Sequence, residues 1–68
     1  MSKRISSDAF LRILTAHGFR FVTQRGSHAK YRDDLGHMVI VPHPRKDIPI
    51  GTLRSMIRQS GLAKELFD

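Results

Sequence analysis

His28 stands behind Gly26 and Ser27 and ahead of Lys30 and Arg32. On an extended chain alternate residues project to one side, so a strand here puts His28, Lys30 and Arg32 on a common face. An imidazole titrates near neutral pH and can take the proton from a ribose 2′-hydroxyl. The activated oxygen would attack the adjacent phosphorus, while Lys30, Arg32 and Arg25 stabilise the charge that develops on the phosphate oxygens. Gly26 has no Cβ and lets a phosphate approach the backbone closely. Ser27 falls on the opposite side by the same alternation, which makes it a turn residue rather than a nucleophile. This set suffices for cleaving RNA without a metal. The competing reading is a non-catalytic RNA-binding surface with an ordinary strand His. His28 separates the two, because a binding module would tolerate Lys or Arg there.

The other titratable groups read as structural. His17 continues the apolar stripe of a first helix and is expected to pack against it or cap it. His37 opens a strand beside a turn. His43, between Pro42 and Pro44, reads as exposed and able to touch RNA or supply a proton; Tyr31 and water are the other proton donors to consider. No two His share a helix face, so a His metal site is not expected. Asp33 and Asp34 fall in a turn, Asp47 at a helix start, and Glu65 and Asp68 at the tail, which argues against a two-metal nuclease. No cofactor is expected. The chain has no Cys, which removes disulfides and zinc–thiolate sites. It also lacks a Gly-rich phosphate loop and an arguable Ser-His-Asp set. The few aromatics belong mostly to the core, leaving no stacking platform for single strands.

A chain of 68 residues is a single domain, here 1–68, and buries only about 60% of its unfolded surface. Its net charge is +6, and eight of its twelve cations are Arg, the residue that forks onto phosphate and stacks on bases. They are scattered from Lys3 to Lys64, as on a folded basic surface rather than a basic tail. Nucleic acid or an acidic protein is the expected partner. The longest aliphatic run, Met38 to Val41, is too short for a membrane span. Met1-Ser2-Lys3-Arg4 has no apolar stretch behind it of the kind a secretion signal needs. With the missing Cys, this suits a reducing cytoplasm.

These residues must be positioned by a small set of elements. Ser6-Ser7-Asp8 reads as a helix cap, Ile5, Phe10, Ile13 and Leu14 as an apolar stripe, and Gly18 as a stop. Phe19 and Phe21 then alternate with Arg20 and Val22 as in a strand. Arg25-Gly26 makes a tight turn, Ser27 to Arg32 a second strand, and Asp33-Asp34-Leu35-Gly36 a hairpin. Met38 to Val41 forms a third strand ended by Pro42 and Pro44. Asp47 is expected to cap a second helix, with Pro49 in its first turn and Gly61 at its end. Ile50, Leu53, Met56 and Ile57 make its buried stripe, and Arg54 and Arg58 point away together. Leu62, Leu66 and Phe67 close the core. The order α-β-β-β-α predicts a two-layer α+β domain, a three-stranded antiparallel sheet with both helices on one face. Phe19, Phe21, Ala29 and Tyr31 would face the helices, and Arg20, His28, Lys30 and Arg32 would face out. This is the layout of the double-stranded-RNA-binding domain.

Longer motifs add to this reading. Gly18-Phe19, Gln24-Arg25-Gly26-Ser27-His28 and Tyr31, then Val41-Pro42-His43-Pro44, Lys46-Asp47-Ile48, Gly51-Thr52-Leu53-Arg54, Ile57-Arg58-Gln59 and Gly61-Leu62, together resemble the HicA toxins of HicA–HicB toxin–antitoxin modules. The resemblance runs from about residue 7 to 67. It implies a double-stranded-RNA-binding-like fold, metal-independent cleavage of mRNA in the cytoplasm, and a single catalytic His at the position of His28. Arg20, Gln24, Arg25, Gly26, Ser27, Lys30 and Arg32 would be the RNA contacts around it. It further implies a HicB antitoxin that covers the active site, a toxin that is monomeric alone, and an acidic inhibitor surface to match the +6 charge. The family often has Arg before the Gln, where this chain has Thr23, so either Arg25, two places on, supplies that cation or the substrate is bound differently.

Overall fold

The structure, a computed structural model, describes residues 4–68; the leading Met1-Ser2-Lys3 lies outside the described residues. Helix α1 spans Ser7–Ala16. The Ser6 hydroxyl accepts the Ala9 N–H at 3.1 Å, and Asp8 sits in the first turn, where the positive end of the helix dipole favours it. Phe10 and Leu14 are fully buried. His17 is exposed and caps the helix: its N–H donates to Leu14 and its Nδ1 lies 2.9 Å from the Ile13 carbonyl. It therefore does not continue the buried stripe.

Strands β1 (Arg20–Arg25), β2 (His28–Arg32) and β3 (Met38–Pro42) form an antiparallel sheet in the order β1-β2-β3. Arg25 pairs with His28 across the two-residue turn Gly26-Ser27. Gly26 has φ +56°, the positive φ that tight hairpin turns require. The second turn is organised by Asp33. One carboxylate oxygen accepts the Leu35 and His37 N–H groups at 3.1 and 2.8 Å, and the other meets His37 Nδ1 at 2.8 Å. Partial burial works upward on the Asp33 carboxyl, but the hydrogen bonds from the His37 side chain and N–H and from the Leu35 N–H outweigh it and hold it below its usual range.

Both helices lie over β3, whose Val39 and Val41 are fully buried, as is Ala29 of β2. Phe19 joins this core, but Phe21 does not: it is 57% exposed. It sits on the edge strand beyond the helices and meets Tyr31 edge-on, centroids 5.7 Å apart. Helix α2 spans Ile50–Ser60. Asp47 does not cap it; Pro49 is the N-cap residue, and Asp47 instead meets Arg4 at 3.3 Å. The Ile48 N–H donates to the Ile5 carbonyl at 3.0 Å, turning Ile48 into the core at 5% exposure while Ile50 stays 47% exposed. Leu53, Met56 and Ile57 make the inward stripe. Gly61 ends the helix at φ +70°, and a Cβ there would lie 2.6 Å from His37 Nε2, so both conformation and space require glycine. The 3-10 turn Lys64–Phe67 returns Phe67 onto Phe10, rings stacked 4.7 Å apart. This inward turn of Phe67 leaves Leu66 40% exposed, outside the expected closure.

Phe10→Ala should cost about 3–5 kcal/mol in urea unfolding, much of the stability of so small a domain. Asp33→Asn should lower Tm at pH 7. A carboxylate with a depressed folded pKa stabilises above its unfolded pKa and loses that contribution as pH falls through the folded value. The Tm gap between Asp33→Asn and the parent should therefore close below a pH of about 4.

Candidate functional site

The side of the sheet away from the helices is open, and its register sets out three rows. Arg20, Arg32 and Met38 form one; Thr23, Lys30 and Ile40 the next; Arg25, His28 and Pro42 the third. Thr23, Arg25, His28, Lys30 and Ile40 line a shallow depression of about 320 Å³. Arg20 and Arg32 are directly opposed, a like-charge pair. Asp34 relieves it by reaching Arg20 at 2.8 Å. Among the described residues, Arg25, His28, Lys30 and Arg32 have no carboxylate within 4 Å. The charge of Arg25, Lys30 and Arg32 is thus unpaired, as an anionic ligand would require.

A bulge produces this composition. Simple alternation from Arg20 would bring Val22 and Gln24 onto the open face. Instead the β1–β2 register shifts between Phe21 and Thr23, so Thr23 and Arg25 take the His28 face and Gln24 turns to the helix side, opposite Ala29. There the Gln24 Nε2 donates to the Gly26 carbonyl at 3.0 Å and the His43 carbonyl at 2.9 Å. The His43 N–H donates to the Ser27 carbonyl at 2.8 Å. Gln24 thus clasps the Gly26-Ser27 turn to the end of β3, and Ser27 sits in that turn rather than on β2. Around Gly26 the position of a Cβ has nothing within 4 Å, so its backbone is approachable.

His43 differs from expectation. It is half-buried, not exposed, and its Nδ1 lies 2.7 Å from the hydroxyl of buried Ser7 and 3.8 Å from Asp8. The same hydroxyl accepts the Arg45 N–H at 2.9 Å, so His43 ties the loop after β3 to the start of α1. Tyr31 belongs to the helix side, with Phe21 and Val39. Neither side chain shares the face of His28. Among the described residues no three His, Asp or Glu side chains gather where they could hold a metal.

Met38 and Ile40 were not singled out from the sequence, and Thr23 only as a departure from the family pattern. The run Met38 to Val41 is uniformly apolar, and only its period of two signals that Met38 and Ile40 must face away from Val39 and Val41. Nothing in the residue pattern placed Thr23 on the His28 face, since the bulge that re-aims it leaves no mark there.

The family described as HicA toxin of bacterial toxin–antitoxin matches residues 7–62, a stretch that holds both helices, the whole sheet and its open face. The chain belongs to the HicA toxin family. Its α-β-β-β-α order and open three-stranded sheet agree with the double-stranded-RNA-binding layout expected of that family. A search of curated proteins finds no match. Membership supplies the role of toxin in a toxin–antitoxin pair, and among the described residues no helix is long and apolar enough to cross a membrane.

Gln24→Ala removes both clasp bonds and should destabilise the fold by about 1–2 kcal/mol, read in urea unfolding. Amide exchange at Gly26 and Ser27 should accelerate more than exchange in α2.

Proposed function

We propose that this toxin is a metal-independent endoribonuclease that cuts mRNA in the cytoplasm and arrests translation, with His28 as its catalytic group. The observation that carries the reading is the register that sets exposed His28 between Arg25 and Pro42 and beside Lys30, on a face where Arg25, Lys30 and Arg32 have no carboxylate within 4 Å and only Arg20 is paired, with Asp34. His28 takes the proton from a ribose 2′-hydroxyl. The 2′-oxygen attacks the adjacent phosphorus, the bond to the 5′-oxygen breaks, and a 2′,3′-cyclic phosphate and a 5′-hydroxyl end result. Lys30, Arg25 and Arg32 stabilise the phosphorane oxygens, while the free approach to Gly26 admits the backbone phosphate. Arg20 and the Ser27 turn extend the contact along the strand. Gln24 contributes by holding the turn in place.

Because Tyr31 and His43 point away, the leaving 5′-oxygen takes its proton from the imidazolium of His28 or from water. A single His acting first as base and then as acid meets the requirement for both roles on one face. The same basic face suits a HicB antitoxin, whose acidic surface would cover it and exclude RNA.

His28→Ala should lower cleavage of a defined mRNA in EDTA by about 10²–10⁴-fold, with 5′ ends mapped by primer extension. The variant should keep its stability within about 0.5 kcal/mol, since an exposed side chain is removed. Equal cleavage by the folded variant would remove His28 from the mechanism. RNA binding without new 5′ ends from either protein would favour a binding module, and no binding at physiological salt would favour a purely protein-docking role. Lys30→Ala should weaken RNA binding and reduce its salt slope by about 1.

A further inference from the structure

A second basic surface lies on the helix layer, away from the open sheet face. The last two turns of α2 and the turn at Gly61 enclose a groove of about 510 Å³ lined by Arg54, Ile57, Arg58, Gly61, Leu62 and Lys64. Its shape follows from local structure. Gly61 reverses the chain at φ +70° without a side chain to fill the bend, and Phe67 pulls the following turn back onto the core. Buried Ile57 and half-buried Leu62 supply an apolar floor, and the exposed cations Arg54 and Arg58, one helical turn apart, and Lys64 form the rim. Among the described residues none of these three cations has a carboxylate within 4 Å, and neither Glu65 nor Asp68 forms an ion pair with them. The groove shares no residue with the depression around His28.

We infer that this groove is a docking site for an acidic peptide segment bearing an apolar anchor, and that the segment belongs to the antitoxin. An RNA backbone would match the cations but leave Ile57 and Leu62 unused. A peptide with Asp or Glu flanking a Leu, Ile or Phe matches both rim and floor. The inference rests on the toxin–antitoxin membership of the chain and not on its proposed nuclease activity. It gives the partner a hold outside the sheet face, so binding does not depend on displacing RNA first.

The test uses the toxin's purified cognate antitoxin, titrated by calorimetry at several salt concentrations against the parent, the double variant Arg54→Gln/Arg58→Gln, and Leu62→Ala. Circular dichroism checks that each variant is folded. The double variant should bind the antitoxin about tenfold more weakly, with a flatter salt dependence. Leu62→Ala should weaken binding while keeping the parental salt dependence. RNA cleavage and RNA binding by the free double variant should equal the parent's. Unchanged antitoxin affinity in the double variant overturns the inference, as does a loss of RNA binding with antitoxin affinity intact, which would make the groove an RNA contact. Should the parent itself fail to cleave RNA, the nuclease reading falls, while the antitoxin titration still decides this one.

Discussion

The central position of β2 is the constraint on which the structure depends. The strand is paired on both sides, with β1 through Arg20↔Arg32 to Arg25↔His28 and with β3 through His28↔Pro42 to Arg32↔Met38. Its side chains therefore have two fates only. Ala29 and Tyr31 must go toward the helices, and His28, Lys30 and Arg32 must go to the open side. A slip of one residue would bury three cationic or titratable side chains and expose Ala29. Because both helices pack on the same face, the segregation that makes the core also leaves the candidate functional residues uncovered. Stability and the candidate site are two consequences of one alternation.

The periphery of the sheet is tuned around that strand. The bulge in β1 exchanges Val22 and Gln24 for Thr23 and Arg25 beside His28, and it frees the Gln24 amide to clasp the Gly26-Ser27 turn to β3. On the other edge, Met38 and Ile40 leave an apolar column next to the cations, exposed at 43% and 39%. The open face is thus cationic along β1 and β2 and apolar along β3, a division that suits a polyanion whose bases lie to one side of its phosphates.

The distribution of acids completes the electrostatics. Asp8 serves a helix start, Asp33 organises a turn, Asp34 relieves the Arg20–Arg32 repulsion, and Asp47 meets Arg4. None of them neutralises His28's neighbours or the rim of the α2 groove. Unpaired cations therefore stand on two surfaces in different layers, among others, which allows a partner protein to be engaged without using the sheet face alone.

Element order, the turns at Gly26 and Gly36, the end of α2 at Gly61 and the two faces of β2 were all legible in the residues themselves. Each follows from a short-range rule: a period of two or 3.6, a cap, or a glycine where φ is positive. The motifs from Gly18 to Leu62 likewise placed the chain in its family before any coordinate was known. What tertiary structure decided are the matters that depend on residues far apart in the chain. The bulge that aims Thr23 and Arg25 arises from strand pairing. His43 turns to Ser7, 36 residues away, and Asp47 to Arg4, 43 residues away, so neither keeps the role its neighbours suggested. Phe21, Ile50 and Leu66 are apolar and periodic yet exposed, because burial depends on how far the other layer reaches. Local pattern specifies which way a side chain points along its own element; only packing determines whether anything stands there to meet it.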